Sequence, residues 1–574
     1  MSNIQHKSLF EFSGKGPGFY VSLSLIIIIF FLGLYGAIAK SWTGDDAFIS
    51  FRYAQNLVEG KGLVYNAGEK VEGYSNFLWT MLVALGMELK LDPIHTTNAL
   101  GLVSFVLTIL LFIYISWRFF KESTPYGLFI PLTALCLLVH AHFREFATGG
   151  LETSFFTFLV SLGFAGLIFS KSRRGFLLTG LVFVLVMLTR PDGFIFYGVS
   201  FLFLILTASS IPKRIWYFLL PLILIFVPYY ILRYRNYGYP FPNTYYAKSA
   251  YLAWWSQGWR YLILYFKAYY VFILLPVLGV IALIKVRNSW RKTTRFPLRF
   301  NPMQNSVLLS LLFSVIFTLY LVRVGGDFMF GRFFIPITPF LFFLMEIFAN
   351  RILTKKYLIP FAAAVCLATY FHWNPDQIRS VSSKIVDERY FYPKSKIEEA
   401  RQRGRVLKKY LKDTKAQVVI FGAQAMLAYY AEFPTVIEGE GGLTDEYLAH
   451  LRITKRTRPG HERVAPRDYL LRRGVNFTFG LSDSPSSGGL TEIDFGGVTG
   501  TVVVYNLSLM RDLKRFGEVR FVDFEELLDD YIGKMPSIPQ AKILKDYGFF
   551  KQYYFDHNSD PVRQNAFIRV LEKE

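Results

Sequence analysis

The segment YVSLSLIIIIFFLGLYGAI, residues 20–38, decides the fold class of this chain. It is uncharged and mostly apolar, and it exceeds the roughly 17 residues that an α-helix needs to cross the hydrocarbon core of a bilayer. Similar runs recur at Leu100–Ser116, Ser154–Ser170, Trp216–Leu232 and Ser306–Val322. We therefore expect a protein that crosses a membrane several times, with residues 20–38 retained as the first span rather than cleaved as a signal peptide.

Composition supports this class and divides the chain. Of the 574 residues, 53% are hydrophobic and 18% aromatic, which is too apolar for an ordinary soluble enzyme. The hydropathy falls after His372, and from there short β-rich runs alternate with charged helical ones. The sequence thus predicts a mainly α-helical membrane domain over residues 1–372 and a soluble α/β domain over residues 373–574.

Charge is unevenly distributed between these two parts. Residues 1–372 contain 32 Lys and Arg against 14 Asp and Glu, whereas residues 373–574 contain 31 against 28. The basic excess therefore lies in membrane loops, as the positive-inside rule requires. Nucleic-acid binding needs a basic face on a soluble domain, and the soluble part is nearly neutral. We exclude that function.

The Lys and Arg residues also predict the topology. Basic loops at Arg118, Lys171, Lys213, Lys285–Arg299 and Arg351 read as cytoplasmic. The remaining loops then face outward: 41–76, 142–151, 190–193, 233–260, 323–332 and everything after His372. With Phe77–Leu89 as an interfacial or re-entrant helix, the bundle has about eleven spans. We expect a multi-pass plasma-membrane or inner-membrane protein whose C-terminal domain is extracytoplasmic.

The first outward loop begins with two adjacent carboxylates, Asp45 and Asp46, a few residues beyond a membrane helix. Burial at a membrane boundary raises the pKa of a carboxylate and suits it to proton abstraction. The alternative is that the pair only caps the helix predicted over Ala47–Val58, since Asp is a favoured N-cap residue. Periodicity alone favours the cap over the base.

Cations in the outward loops oppose the usual charge bias and need another explanation. Arg190, Lys248, Arg323 and Arg332 all lie there. A lipid-linked phosphate at the outer leaflet is a natural partner for them. A single Arg near a helix end usually extends its charged group to the interface, however, and the aromatic residues around Tyr245 are typical of an aromatic belt.

A family resemblance runs through these loops. It is carried by DDAFISFRYAQNLVEGKGLVYNAGEKVEGYSNFLW (45–79), TGGLETSFF (148–156), LTRPDG (188–193), PFPNTYYAK (240–248), VGGDFMFGRFFIPITP (324–339), EGEGGLTDEYLAH (438–450) and RPGHERVAPRDYLLRRG (458–474). In order and spacing these motifs resemble the GT-C superfamily of polyprenyl-phosphate-sugar-dependent glycosyltransferases. Within it they are similar to the terminal β-(1→2)-arabinofuranosyltransferases. The match covers roughly residues 40–480.

The resemblance implies a GT-C-like bundle with a catalytic acid in the first outward loop and a soluble domain over the cavity. Asp45, with Asp46 beside it, becomes the expected base, which reverses the weighting from periodicity. The four cations would stabilise the leaving polyprenyl phosphate. Candidate substrate-binding residues in the matched motifs are Arg52, Glu152, Asn243, Tyr245, Asp327 and His461. No cofactor is certain; Asp45, Asp46 and Glu152 offer oxygen ligands to a divalent metal.

In the C-terminal part, strands are predicted at Gln417–Phe421, Thr435–Ile437, Asn476–Phe479 and Thr501–Tyr505, and helices at Glu398–Lys412, Tyr447–Leu451 and Phe524–Tyr531. A loop histidine such as His461 is more often structural than catalytic.

The expected function is transfer of a sugar, with arabinofuranose as the candidate, from a polyprenyl-phosphate donor to an envelope glycan or lipid on the outer face. Two other classes stay open. A transporter or flippase for lipid-linked saccharides would also need outward cations, although no internal repeat is visible. A membrane scaffold that binds envelope polymer needs no acidic pair beside cation-rich loops.

Overall fold

The computed structural model describes residues 17–121, 128–207, 211–290, 300–374, 376–379, 384–453, 455–480 and 489–572. Most of the predicted basic loop Lys285–Arg299 lies outside these ranges, from residue 291 onward. Helices α1 to α9 are Pro17–Ala39, Asp46–Val58, Phe77–Glu88, Pro93–Phe120, Leu132–Val139, Ala141–Glu145, Thr153–Phe169, Arg173–Thr189 and Gly193–Thr207. Helices α10 to α17 are Ile211–Pro221, Val227–Tyr237, Asn243–Ala247, Trp255–Ala268, Leu274–Trp290, Pro302–Val324, Thr338–Ile352 and Leu358–Tyr370.

The C-terminal part contains eight further helices and six strands. Helices α18 to α25 are Lys394–Leu411, Ala425–Ala431, Glu446–His450, Arg467–Arg472, Leu507–Lys514, Phe524–Lys534, Gln540–Tyr553 and Pro561–Leu571. Strands β1 to β6 are Gln417–Ile420, Thr435–Glu438, Phe477–Phe479, Glu492–Phe495, Thr499–Val502 and Val519–Phe521.

Local sequence explains where the long helices begin and end. Helix α15 starts with a capping box, in which Asn301 and Gln304 satisfy each other's backbone N–H groups, and it ends at Gly325 with φ +94°. Helix α4 starts at the Asp92 carboxylate, which accepts a hydrogen bond from the backbone N–H of His95. Between such ends the apolar sequence favours helix, because every backbone polar group must be satisfied inside a bilayer.

Four helical segments in the described part of the chain are long and apolar enough to cross a membrane: Pro17–Ala39, Pro93–Phe120, Arg214–Tyr237 and Pro302–Val324. A fifth arises if Trp255–Ala268 and Tyr270–Ile284, bent by 99°, count as one span. Helices Thr153–Phe169 and Gly193–Thr207 are apolar but shorter. Several helices of spanning length support the multi-pass prediction. The count of about eleven stays a prediction, as does the interfacial placement of α3.

Aromatic side chains pack the centre of the bundle. Phe164, Phe196 and Phe340 each lie within 5.3 Å, ring centre to ring centre, of Phe313 or of one another. Such contacts between helices add to the burial of apolar surface. The packing holds α7, α9, α15 and α16 together.

The C-terminal part is built on one mixed six-stranded sheet in the order β2-β1-β3-β5-β4-β6. Strand β1 is parallel to both β2 and β3, and the remaining pairs are antiparallel. Strand β1 lies between β2 and β3, and residues at the carboxyl ends of β1 and β2 border a cavity that Asp45 and Asp46 also line. That cavity faces the first loop of the helical part.

Three of the four predicted strands, those starting at Gln417, Thr435 and Asn476, lie within one residue of β1, β2 and β3. The fourth is displaced, because the strand observed there ends at Val502 rather than Tyr505. All three predicted helices overlap observed ones, namely α18, α20 and α23.

Candidate active site

The Asp45 carboxylate connects the first loop to the C-terminal part. Its two oxygens accept hydrogen bonds from the backbone N–H groups of Ala425 and Met426, at 3.0 and 2.9 Å, and so cap the N-terminus of α19. It makes no side-chain cap to its own helix, α2. Burial raises the pKa of Asp45 to about 7; the two N–H groups oppose that rise and the neighbouring Asp46 adds to it.

An acidic cavity of about 460 Å³ opens beside this contact, at the carboxyl ends of β1 and β2. Its polar lining consists of Asp45, Asp46, Glu388, Lys396, Glu438, Glu440, Arg458 and His461. Burial, with Asp46 next, raises the pKa of Glu438 to about 8. The same two causes hold the pKa of Glu388 well above its usual range, although Arg458 lies 3.3 Å away.

A buried ion network forms the second centre, with Glu152 at its middle. The Glu152 carboxylate accepts hydrogen bonds from Arg190 at 2.9 Å, Arg332 at 3.1 Å and Asn76 at 3.1 Å. Burial alone would raise the pKa of Glu152, but Arg332 and Arg190 overcome it and hold the pKa at about 2. Arg190 also forms a two-pronged pair with Asp192, with both distances at 2.9 Å.

The glycines of the matched motifs explain how Glu152 reaches this position. Gly149 packs against the Trp42 ring, and Gly150, at φ +77°, leaves no room for a Cβ, which would meet the Thr43 and Ala47 side chains at 2.8 and 2.9 Å. The loop before α7 therefore lies directly against the first loop. This close approach places Glu152 beside Asn76, at the end of that loop.

A second cavity, of about 190 Å³ and referred to below as the cationic cavity, surrounds the network. Its charged lining is Glu152, Arg190, Asp192, Lys248, Asp327, Arg332 and Arg456, and its apolar wall includes Phe241, Tyr245, Trp254, Tyr320 and Phe333. Within the described residues, the Lys248 ammonium makes no hydrogen bond and no ion pair. The Arg332 Nε–H is buried and likewise has no partner there. Two cationic donors therefore remain available to an anion.

A small junction of about 60 Å³ joins the two centres. Asp46 lines both this junction and the acidic cavity, whereas Lys248 and Arg332 line both the junction and the second cavity. Asp46 is therefore the carboxylate between the acidic side and the cationic side.

The other predicted site residues fall into two groups. Tyr245 and Asp327 line the cationic cavity and His461 the acidic one. Arg52 and Asn243 instead donate to backbone carbonyls of the C-terminal part: Arg52 to Ala428 and Phe433, Asn243 to Gly442, Leu443 and Asp445. Arg323 is exposed and lines neither cavity.

Several residues of the site were not predicted as functional. Glu388, Lys396 and Arg458 line the acidic cavity, and Asp192 holds Arg190. Asp192 and Glu438 lay inside quoted motifs, LTRPDG and EGEGG, which was an available signal. Glu388 lies among other charged residues after residue 372 and carried no pattern of its own.

The metal ligands suggested from sequence do not form one cluster. Both oxygens of Glu152 already accept hydrogen bonds from cationic or amide donors. Among the described residues, His142, Glu145 and Asp387 have ligand atoms within 4.8 Å of one another.

The fold identifies the class of protein. The chain resembles ArnT from Cupriavidus metallidurans in the apo state, with a TM-score of 0.50 over 85% of this chain and 98% of that one, at 13% identity. ArnT of the same organism bound to undecaprenyl phosphate gives a TM-score of 0.48, 12% identity, and coverage of 74% and 86%. The chain is therefore a multi-pass membrane protein with an ArnT-like, mainly helical fold. The prediction of a mainly α-helical membrane bundle is confirmed.

Two named relatives then give the particular resemblance. The chain is 27% identical over 418 residues to the terminal β-(1→2)-arabinofuranosyltransferase of Mycobacterium tuberculosis, covering 65% of each chain. It is 28% identical over 346 residues to the same-named protein of Corynebacterium glutamicum, covering 55% of this chain and 48% of the relative. The match therefore spans less than two thirds of either relative's length. No protein-family model matches. The resemblance inferred from the motifs is confirmed.

Proposed function

We propose that this protein transfers a sugar, with arabinofuranose the first candidate, from a polyprenyl-phosphate donor to an envelope glycan or lipid acceptor. One observation carries the proposal: Asp46 lies at the junction between a cationic cavity and an acidic cavity. Glycosyl transfer needs this arrangement, because a leaving phosphate requires positive charge while the attacking hydroxyl requires a proton acceptor. The names of the two relatives support the choice of sugar.

The donor phosphate would lie in the cationic cavity. The guanidinium groups of Arg190 and Arg332 are already paired there with three carboxylates, those of Glu152, Asp192 and Asp327. Of the cations that line this cavity, Lys248 is the one without an ion pair to a described residue, and the Arg332 Nε–H is a donor without a partner among those residues. These two groups would bind the phosphate, and the aromatic wall around Tyr245 would contact the first isoprene units.

The acceptor would enter from the acidic cavity, where carboxylates accept hydrogen bonds from sugar hydroxyls. Asp46 would take the proton of the attacking hydroxyl as the sugar–phosphate bond breaks through an oxocarbenium-like transition state. Asp45 would keep the loop in place, because both of its oxygens already accept backbone hydrogen bonds. We therefore assign to Asp46 the role of general base that the sequence analysis expected for Asp45.

The Lys and Arg counts of the loops support an extracytoplasmic site. The loops predicted to face outward are the ones that supply Asp46, Glu152, Arg190, Lys248 and Arg332.

The test is transfer by the purified full-length protein in detergent. Synthetic prenyl-phosphoryl-arabinofuranose and prenyl-phosphoryl-hexose donors are incubated with arabinan, galactan and lipid acceptors, and release of prenyl phosphate is measured with product mass. The proposal expects phosphate release coupled to a pentose mass increment on a glycan. Asp512→Asn, which alters an exposed carboxylate that lines none of these cavities, is the matched control for Asp46→Asn. Absence of transfer from every prenyl-phosphate donor would remove the proposal.

A further inference from the structure

A second cluster of polar groups lies outside the two cavities. It joins His142 and Glu145, on the short helix α6, to Asp387, which precedes α18 by seven residues. One ligand-type atom from each residue lies within 4.8 Å of the others, and all three residues are buried. The proposed transfer reaction uses none of them.

Two atoms in this cluster have no hydrogen-bond partner within the described residues. They are His142 Nε2 and Asp387 Oδ2, in side chains that are 2% and 5% exposed. A buried polar atom without a hydrogen-bond partner lowers the stability of the fold, so both of these atoms require an explanation. The two atoms lie in the same cluster as the Glu145 carboxylate, which His142 Nε2 approaches to 3.8 Å.

Surrounding groups fix which atoms face inward. The Tyr269 hydroxyl lies 2.5 Å from His142 Nδ1, so Nε2 is the ring nitrogen left to face the carboxylates. Arg389 pairs with Glu145 Oε1 at 2.7 Å, which leaves Oε2 toward the histidine. The backbone N–H of Arg389 donates to Asp387 Oδ1, and the Arg389 guanidinium lies 3.7 Å from Asp387 Oδ2, beyond hydrogen-bond distance. Metal-binding histidines and carboxylates are held by outer partners in this way.

We propose that His142 Nε2, Glu145 Oε2 and Asp387 Oδ2 bind one divalent transition-metal ion of the Zn²⁺ type. One imidazole and two carboxylates are a ligand set that zinc accepts, whereas Mg²⁺ prefers oxygen ligands and bound water. Zn²⁺ bonds of about 2.0–2.2 Å in a tetrahedral arrangement place ligand atoms about 3.3–3.6 Å apart. His142 Nε2 and Glu145 Oε2 are 3.8 Å apart and all three ligand atoms lie within 4.8 Å of one another, so binding would draw them together by up to about 1.5 Å.

The ion would tie two parts of the chain together. Asp387 is followed directly by Glu388, which lines the acidic cavity. The same segment pairs with the helical part through the bridge between Met329 and Val386. On the other side, the Glu145 carbonyl accepts a hydrogen bond from the Trp42 indole of the first loop. The metal would therefore hold a wall of the cavity against the helical bundle.

The experiment measures metal content directly. Full-length protein in detergent is stripped with EDTA, loaded separately with Zn²⁺, Co²⁺ or Mg²⁺, desalted and analysed by elemental mass spectrometry. Wild type is expected to retain about one Zn²⁺ or Co²⁺ per chain and no Mg²⁺. His142→Gln and Asp387→Asn are expected to lose the ion. His95→Gln, which alters an exposed histidine 3.5 Å from Asp92, is the matched control and should retain it.

Tyr269→Phe provides a variant that leaves all three ligands in place. Loss of an outer partner typically lowers metal affinity about 10–100-fold. Zn²⁺ is also expected to raise the unfolding temperature of wild type but not of the two ligand variants. Failure of wild type to retain Zn²⁺ would overturn the proposal whatever the variants do, and Arg389 alone would then balance the two carboxylates. Equal Zn²⁺ content in wild type and both ligand variants would overturn it as well.

Discussion

The Asp45 carboxylate and the backbone N–H of Met426 form a 2.9 Å hydrogen bond between residues 381 positions apart in sequence. The first loop is therefore held by the helix that follows β1 of the C-terminal part. Arg52 lies further along α2 and strengthens the same contact. Its guanidinium donates hydrogen bonds to the backbone carbonyls of Ala428 and Phe433. Loop and sheet act together in shaping the acidic cavity.

The first prediction concerns pH and Asp45. Its pKa rises from an ordinary value near 4 to about 7 on folding, so between these values the folded protein binds more protons than the unfolded chain. The contribution of Asp45 to stability is therefore present at low pH and lost as pH rises toward 7. Asn at this position stays neutral. We expect the unfolding temperature of Asp45→Asn, relative to wild type, to be higher at pH 8 than at pH 5.

Asp512→Asn, which removes an exposed carboxylate on α22, serves as the reference for that comparison. A difference between wild type and Asp45→Asn that is the same at both pH values would contradict the prediction.

A second prediction separates Lys248 from Arg323. Lys248 lines the cationic cavity and has no ion pair among the described residues, whereas Arg323 is exposed outside it. A hydrogen bond to a charged group contributes about 1.5–3 kcal/mol, so Lys248→Ala should raise the donor KM by about 10–100-fold. Arg323→Ala should change it by less than about twofold. Steady-state kinetics with a prenyl-phosphoryl sugar measures both. A larger effect at Arg323 would move the phosphate site out of this cavity.

The third prediction tests the ion network around Glu152. Glu152→Gln keeps the shape of the side chain but leaves Arg190 and Arg332 with less negative charge in a buried place. Removing one partner of a buried pair typically costs about 3–5 kcal/mol. We expect a marked fall in unfolding temperature. Glu526→Gln, in an exposed pair with Lys514, should change it little. Similar unfolding temperatures for both variants would show that Glu152 is not central to stability.

A fourth prediction concerns topology, which rests on the Lys and Arg loops. Single cysteines are introduced at Lys171, in a loop predicted to be cytoplasmic, and at Asp512, in the C-terminal part; both positions are exposed. An impermeant thiol reagent should label Asp512→Cys in intact cells and label Lys171→Cys only after permeabilisation. Wild type, with Cys136 and Cys366 in apolar helices, gives the background. Labelling of Lys171→Cys alone in intact cells would reverse the orientation.

The sequence predicted the helical class and most of the sheet, because apolar length and β-branched runs are local signals. Strands β4 and β6 were not predicted: Glu492–Phe495 and Val519–Phe521 are short and mix charged with apolar residues, so only pairing with β5 and with each other defines them. The predicted fourth strand extended to Tyr505 because residues 502–505 are β-branched or aromatic, whereas β5 ends at Val502.

The sequence predicted which residues line the site better than it predicted what each of them does there. Asp45, Asp46, Glu152, Arg190, Lys248 and Arg332 do meet around connected cavities. Arg52 and Asn243 carry the same motif signal, yet their partners are backbone carbonyls roughly 200 to 380 positions away. No spacing rule within one loop reveals such a partner. The division of work between Asp45 and Asp46 likewise depends on which carboxylate meets α19.

That division gives the last prediction. Asp46 lines the junction with the cationic cavity, whereas both oxygens of Asp45 are engaged by backbone N–H groups. Loss of a general base typically lowers a rate by about 10²–10⁴-fold, so Asp46→Asn should lose that much kcat while its unfolding temperature stays near that of wild type. Asp45→Asn should retain most of its kcat at a temperature where it is folded. Transfer rates measured at saturating donor decide between them. If Asp45→Asn abolishes transfer in a folded protein and Asp46→Asn does not, Asp45 is the base, and its contact with α19 must open for the acceptor to enter.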